Sequence, residues 1–185
     1  MENNDTDQYS YTPYPEYRME PQEIISVEKF TFLSVITFGL YDLWWMYKSW
    51  RFFKQKDNLD ILPALRSLFA IFFLYGLCER IFEYGKRKGY TGDYSSLAFA
   101  SGFIVLRLVS RLPEPYGYVA LFSFVFLIVP FKVLNYAMLH DDELTVIEQP
   151  SFNSRQIVLL VIGGLLWLLV ILGSIFNLYD DRYGV

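Results

Sequence analysis

Between Ile157 and Leu178 the chain runs for 22 residues without a charged side chain, and sixteen of them are Leu, Ile, Val or Phe. A helix of that length is about 33 Å long, enough for the roughly 30 Å hydrocarbon core of a bilayer. Each such residue near the centre contributes about −0.3 to −0.6 kcal/mol to insertion, so the segment is favoured in lipid by several kcal/mol. The rest of the chain has the same character: 54% hydrophobic and 19% aromatic residues, with a mean hydropathy of +0.25, exceed what an ordinary soluble domain carries. The first expectation is therefore an integral membrane protein.

Four further apolar stretches precede that one, at about 30–53, 61–85, 95–112 and 118–137. Phe30 to Phe53 is interrupted by Gly39 and carries Asp42, then closes on Trp44, Trp45, Trp50 and a run of basic residues. Aromatic and basic residues crowded at one end are the mark of a membrane interface, so the three tryptophans are expected as interfacial anchors. Pro63 suits the first turn of the second segment, where its missing N–H costs nothing. Ala98 and Gly102, four residues apart in the third, suit close helix packing in lipid. Pro130 is expected to kink or end the fourth. Residues 1–28, acidic and rich in Tyr and Pro, read as a disordered tail that a partner could dock on. Asn4-Asp5-Thr6 matches a glycosylation sequon, too short a pattern to use. The expected fold is all-α: a polytopic helical membrane bundle over residues 29–179, with four full spans and one broken or re-entrant N-terminal segment, or five spans, and a short tail at 180–185.

Counting Lys and Arg tests the orientation of this arrangement. Successive crossings would put the 48–66 loop and the 107–111 turn with the C-terminus on one side, and the 79–90 and 132–156 loops on the other. The score is eight to eight if the first segment spans and ten to six if it turns back at Gly39. The positive-inside bias thus favours a segment broken at Gly39, with both termini cytoplasmic.

Several functions are disfavoured. A net charge of −4 with a pI near 5.0 gives no clustered basic face for nucleic acid. Cys78 stands alone in an apolar stretch, which excludes an internal disulfide and suggests a buried thiol. His140, Asp141, Asp142 and Glu143 are consecutive, so they cannot readily converge on one ion, and a solvated acidic loop is the expectation. No nucleophile elbow, phosphate loop or zinc motif is present, so no catalytic residue, metal site or cofactor is expected. Gly163 and Gly164 read as helix packing. The first ten residues have neither the basic nor the apolar region of a signal peptide, so insertion is expected to use the internal segments.

The polar groups inside the apolar stretches are few. An ionisable side chain there costs about 2.5–3.5 kcal/mol on insertion scales and has to be paired, snorkelling or functional. Asp42 lies six residues before Lys48, about 9 Å deeper, and Arg66 and Arg107 fall at comparable depth. The expectation is an intramembrane cluster in which Asp42 pairs with Arg66 or Arg107, against the alternative that both arginines snorkel to the headgroups.

The stretches Leu33–Trp50, Pro63–Phe73 and Asn153–Gly173, and above all the pattern Thr37-x-Gly39-x-Tyr41-x-x-x-Trp45, resemble a family of small uncharacterised bacterial integral membrane proteins. The resemblance implies a multi-pass protein of the bacterial cytoplasmic membrane and carries no activity. The functional expectation is a scaffold or regulatory interaction protein whose partners are the lipid bilayer and a further protein or a second copy. A small transporter or channel using Asp42, Arg66 and Arg107 is the alternative.

Overall fold

The structure, a computed structural model, describes residues 19–109, 111–112 and 116–183. Its helices are α1 (Val27–Ile36), α2 (Leu40–Lys56), α3 (Pro63–Leu68), α4 (Ala70–Arg87), α5 (Ser96–Val109), α6 (Val125–Leu139) and α7 (Ser154–Tyr183), and a 3₁₀ helix at Tyr116–Phe122 leads into α6. Two short strands, β1 (Gln22–Ile24) and β2 (Val146–Glu148), pair in parallel, with Glu23 opposite Ile147. Order therefore begins before residue 29: β1 and the first turn of α1 occupy the end of the expected tail. Residues 1–18 of that tail lie outside the described residues.

The first apolar stretch is two helices. Thr37, Phe38 and Gly39 form the turn, and both Phe38 (φ 53) and Gly39 (φ 79) take the left-handed conformation. The end of α1 closes on itself, since Phe38 N–H donates to Val35 O and Gly39 N–H to Ser34 O, which satisfies carbonyls a helix end otherwise leaves orphaned. Thr37 staples the two helices: its hydroxyl donates to Leu33 O at 2.7 Å and accepts from Tyr41 N at 3.0 Å. Helix α2 then doubles back along α1, because the Phe30 ring lies 6.0 Å from Tyr41 and 5.8 Å from Trp45. The second stretch is interrupted too. Pro63 starts α3, the helix ends after six residues, and Phe69 separates it from α4.

These breaks overturn the expected four or five spans. Only two helices among the described residues are long and apolar enough to cross a membrane, Val119–Leu139, which includes the end of the 3₁₀ helix, and Ser154–Asn177. Helix α1 has 10 residues, and the 17 residues of α2 carry Asp42 and four basic groups. The second half of α4 is charged from Glu79 to Arg87. Helix α5, with 14 residues, is about 21 Å long, short of the hydrocarbon thickness. Helix α6 runs through Pro130 to Leu139 without ending there.

The assignment of loops to sides changes with it. Lys56 after the first stretch, Lys88 after the second and Asp141 after the fourth meet in one ion-pair cluster, so these three connections lie at the same end of the molecule. Lys29, whose ammonium donates to Gln149 O at 2.7 Å, and the Arg80–Asp57 pair mark the same end. Between this charged end and the Thr37–Gly39 turn the core is aromatic. Phe30 stacks on Phe131 at 4.4 Å, and Phe52, Phe53 and Tyr84 pack edge to face or tilted at 5.1–6.0 Å. Each such fully buried ring contributes on the order of 2–3 kcal/mol. Helix α7 is different: it touches the body through its first half, and almost none of its apolar window is buried.

Candidate functional site

The α1–α2 turn assembles the principal polar site. Because α2 starts directly after Gly39, Asp42 falls in its first turn, where the free N–H groups and the helix dipole favour a carboxylate. The side chain is 1% exposed, and Arg107, from the last turn of α5, donates to Asp42 Oδ2 at 3.0 Å. The same guanidinium makes long contacts of 3.4 Å to the Phe38 and Gly39 carbonyls. Gly39 is required twice over. Its φ disfavours any L side chain, and a Cβ at this position would overlap the Arg107 guanidinium. The glycine that breaks the helix is thus also the floor on which the arginine rests.

Among the described residues, three buried polar atoms near this turn have no hydrogen-bond partner: Ser34 Oγ, Asp42 Oδ1 and Trp167 Nε1. Ser34 lies close enough to act electrostatically on the Asp42 carboxylate without a formed hydrogen bond between them. Trp167 arrives from α7, its ring 4.8 Å from Phe38, and Gly163, one turn earlier, lets α7 rest on the Ile36 carbonyl. Arg107 is 32% exposed on the other side, on the wall of an open, largely apolar groove of about 390 Å³ that Leu43, Phe69, Phe103 and Leu108 also line. The arrangement holds one charge pair beneath a surface, with spare hydrogen-bonding capacity on the carboxylate.

Arg66 does not join this pair among the described residues. Its guanidinium lies over the Trp50 ring at 4.6 Å and the Phe73 ring at 5.2 Å, a cation–π arrangement that holds α3 against α2. The three tryptophans separate. Trp45 and Trp50 are buried in the aromatic core, at 6% and 2% exposure, rather than placed at a surface. Trp44 is half-buried beneath the Arg155 guanidinium at 5.7 Å.

A second polar centre was not foreseen from the sequence. Asp141, read there as part of a solvated acidic loop, is buried, and its carboxylate accepts from Lys56 Nζ at 2.6 Å, Lys88 Nζ at 2.8 Å and the Tyr84 hydroxyl at 2.6 Å. Burial by itself would raise its pKa, but hydrogen bonds from Lys56, Lys88 and Tyr84 hold the carboxyl well below the usual carboxylate range. Burial, followed by the adjacent carboxylate, pushes the Tyr84 hydroxyl up. The four groups come from α2, α4, the turn after α4 and the turn after α6, so the cluster pins three connections together. His140 points elsewhere, stacked on the Tyr136 ring at 4.0 Å. No group of acids, histidines and cysteine among the described residues is arranged to hold a metal ion. Cys78 is buried. A scan against family models and searches of curated proteins and of solved structures found no match to this chain.

Proposed function

We propose that this chain is a membrane-embedded interaction protein, a scaffold or regulatory component, in which α7 is the element that meets its partner. The observation that carries the reading is the contrast between a body packed solid with aromatic rings and a 30-residue helix left apolar and open on most of its circumference. In lipid, apolar surface alone does not drive association, and helices meet where small residues let backbones approach. Gly163 already serves the body in that way, while among the described residues Gly164 and Gly173 have nothing within 4 Å of where a Cβ would stand. The occupant of this surface is another membrane helix. Photo-crosslinking groups placed at Leu165 and Leu172, both exposed, should capture a discrete protein product in cells. A ladder confined to lipid adducts would refute the reading.

The proposed setting is a bacterial cytoplasmic membrane, on the strength of the Thr37–Trp45 pattern, crossed by Val119–Leu139 and Ser154–Asn177. The basic residues Lys29, Lys56, Arg80 and Lys88 gather at the end that holds the 140–153 connection, which by the positive-inside rule faces the cytoplasm. Helix α7 then carries its C-terminal end to the opposite face. A second reading, a small transporter or channel, is favoured by one observation: Asp42 Oδ1, Ser34 Oγ and Trp167 Nε1, which have no hydrogen-bond partner among the described residues, are groups that a passing ion or solute could engage. Solute flux into vesicles holding the purified protein, abolished by Asp42→Asn, separates it from the first.

A further inference from the structure

At the charged end, β1, the second half of α2 and the start of α7 enclose an open cavity of about 310 Å³ lined mainly by polar and charged side chains. Three cations line it: Lys48 and Arg51 from α2, and Arg155 from the first turn of α7. Arg51 is neutralised by Glu20 at 2.5 Å. Lys48 and Arg155 are not. Among the described residues neither has a hydrogen bond or an ion pair at its charged end, and Arg155 only rests over the Trp44 ring. Lys48 is partly buried, and burial, reinforced by the nearby Arg155 and Arg51 charges, lowers its pKa in spite of Glu23. Two cations held near one another and short of counter-charge cost stability unless an anion comes between them.

We propose that this cavity binds a phosphate group, seated between the Lys48 ammonium and the Arg155 guanidinium. The chemistry is specific in two respects. A phosphate offers several acceptor oxygens at once, matching the planar fork of an arginine together with the compact charge of a lysine. Glu23 lines the same cavity, so the free charge there is two cations against one carboxylate, which suits a singly charged phosphodiester better than a polyanion. The location fits a lipid source: Arg155 stands two residues before Ile157, where the apolar run of α7 begins, the depth at which phospholipid headgroups lie. A soluble phosphate compound would offer the same group from the aqueous side.

The test uses the full chain purified in a neutral maltoside detergent and titrated calorimetrically with dihexanoyl-phosphatidylglycerol, with inorganic phosphate, and with octyl glucoside as an amphiphile lacking phosphate. The expected result is saturable binding of the phosphatidylglycerol, weakened about tenfold or more by Lys48→Gln and by Arg155→Gln, since each removes one charge-assisted hydrogen bond. Lys54→Gln, whose ammonium bonds Ile61 O away from the cavity, should leave it unchanged. Inorganic phosphate binding with the same dependence on the two residues would place the source in solution and support the site equally. Binding of neither phosphate probe, equal binding by the variants, or octyl glucoside binding as tightly would overturn the proposal. Arg155 is exposed, so its variant should keep the parent circular dichroism and decide the matter even if Lys48→Gln fails to fold.

Discussion

Replacing Gly39 by alanine tests the geometry of the α1–α2 turn most directly. An L side chain at φ 79 costs about 1–2 kcal/mol. The new methyl would also overlap the Arg107 guanidinium, and displacing it gives up a hydrogen bond between charged groups, about 1.5–3 kcal/mol. The guanidinium is 32% exposed, which places that loss near its lower limit. Reduced freedom of the unfolded chain returns about 0.4–1 kcal/mol. The net expectation is a destabilisation of about 2–3 kcal/mol, or a fall in Tm of roughly 5–10 °C for a chain of this length. Thermal unfolding in detergent of the parent, Gly39→Ala, Arg107→Ala and the double variant closes a cycle. Because both single changes break the same Arg107–Asp42 bond, the double variant should lose about 1–2 kcal/mol less than the sum. Strict additivity, or a Gly39→Ala protein within about 0.5 kcal/mol of the parent, would refute the claim that the glycine is there to seat the arginine.

Four other outcomes follow from the same structure. Asp141 has a folded pKa below its unfolded value, so its stabilisation is complete above about pH 5 and is lost as pH falls through the unfolded and then the folded value; Asp141→Asn should flatten that acid limb in a pH series of melting curves. Gly163→Ala should loosen the α1–α7 contact by pressing on the Ile36 carbonyl, whereas Gly164→Ala meets nothing and should be neutral or stabilising by up to about 1 kcal/mol, both read by thermal melts. A reporter fused after the C-terminus should score on the face opposite one inserted near Ser151, and the same score at both would remove the orientation proposed for α7. Cys78 is fully buried, so a maleimide should label it only after unfolding, as a mass shift in denaturant will show.

The residues of the Asp42–Arg107 pair could be picked out beforehand, because an acid in an apolar stretch needs a partner and only two arginines lay at a comparable depth. Choosing between them was beyond the sequence. Arg66 had aromatic faces within reach on α2 and α4, and that contact is set by how far α3 runs before Phe69, a local boundary that no composition signal marks. Gly39 announced a break, since no neighbouring residue offers the same freedom at positive φ. Hydropathy overstates the number of crossings because it measures how apolar a stretch is, not whether it bends. Phe69 is as apolar as its neighbours, yet it divides a stretch that would otherwise read as one span. Asp141 escaped notice for another reason. Its partners are 53, 57 and 85 residues away, and beside Asp142 and Glu143 nothing in its immediate surroundings distinguishes it. Trp45 and Trp50 had the composition of an interfacial belt, but helical spacing turned them toward Phe30 and Arg66 instead.

The parallel pairing of β1 with β2 has a consequence for the order in which the molecule is made. Gln22 finds its partner only at Val146, and Lys29 finds its acceptors only at Gln149 and Pro150. Nearly the whole body must leave the ribosome before the first strand can be fastened, and α7 follows within a few residues. Until then the α1–α2 hairpin has its own turn to hold it together but nothing to lock its beginning in place. Local helical hairpins form early, and closure of loops as long as this one comes late. The N-terminal strand therefore behaves as a latch, and it shuts at about the moment the last long apolar helix is delivered.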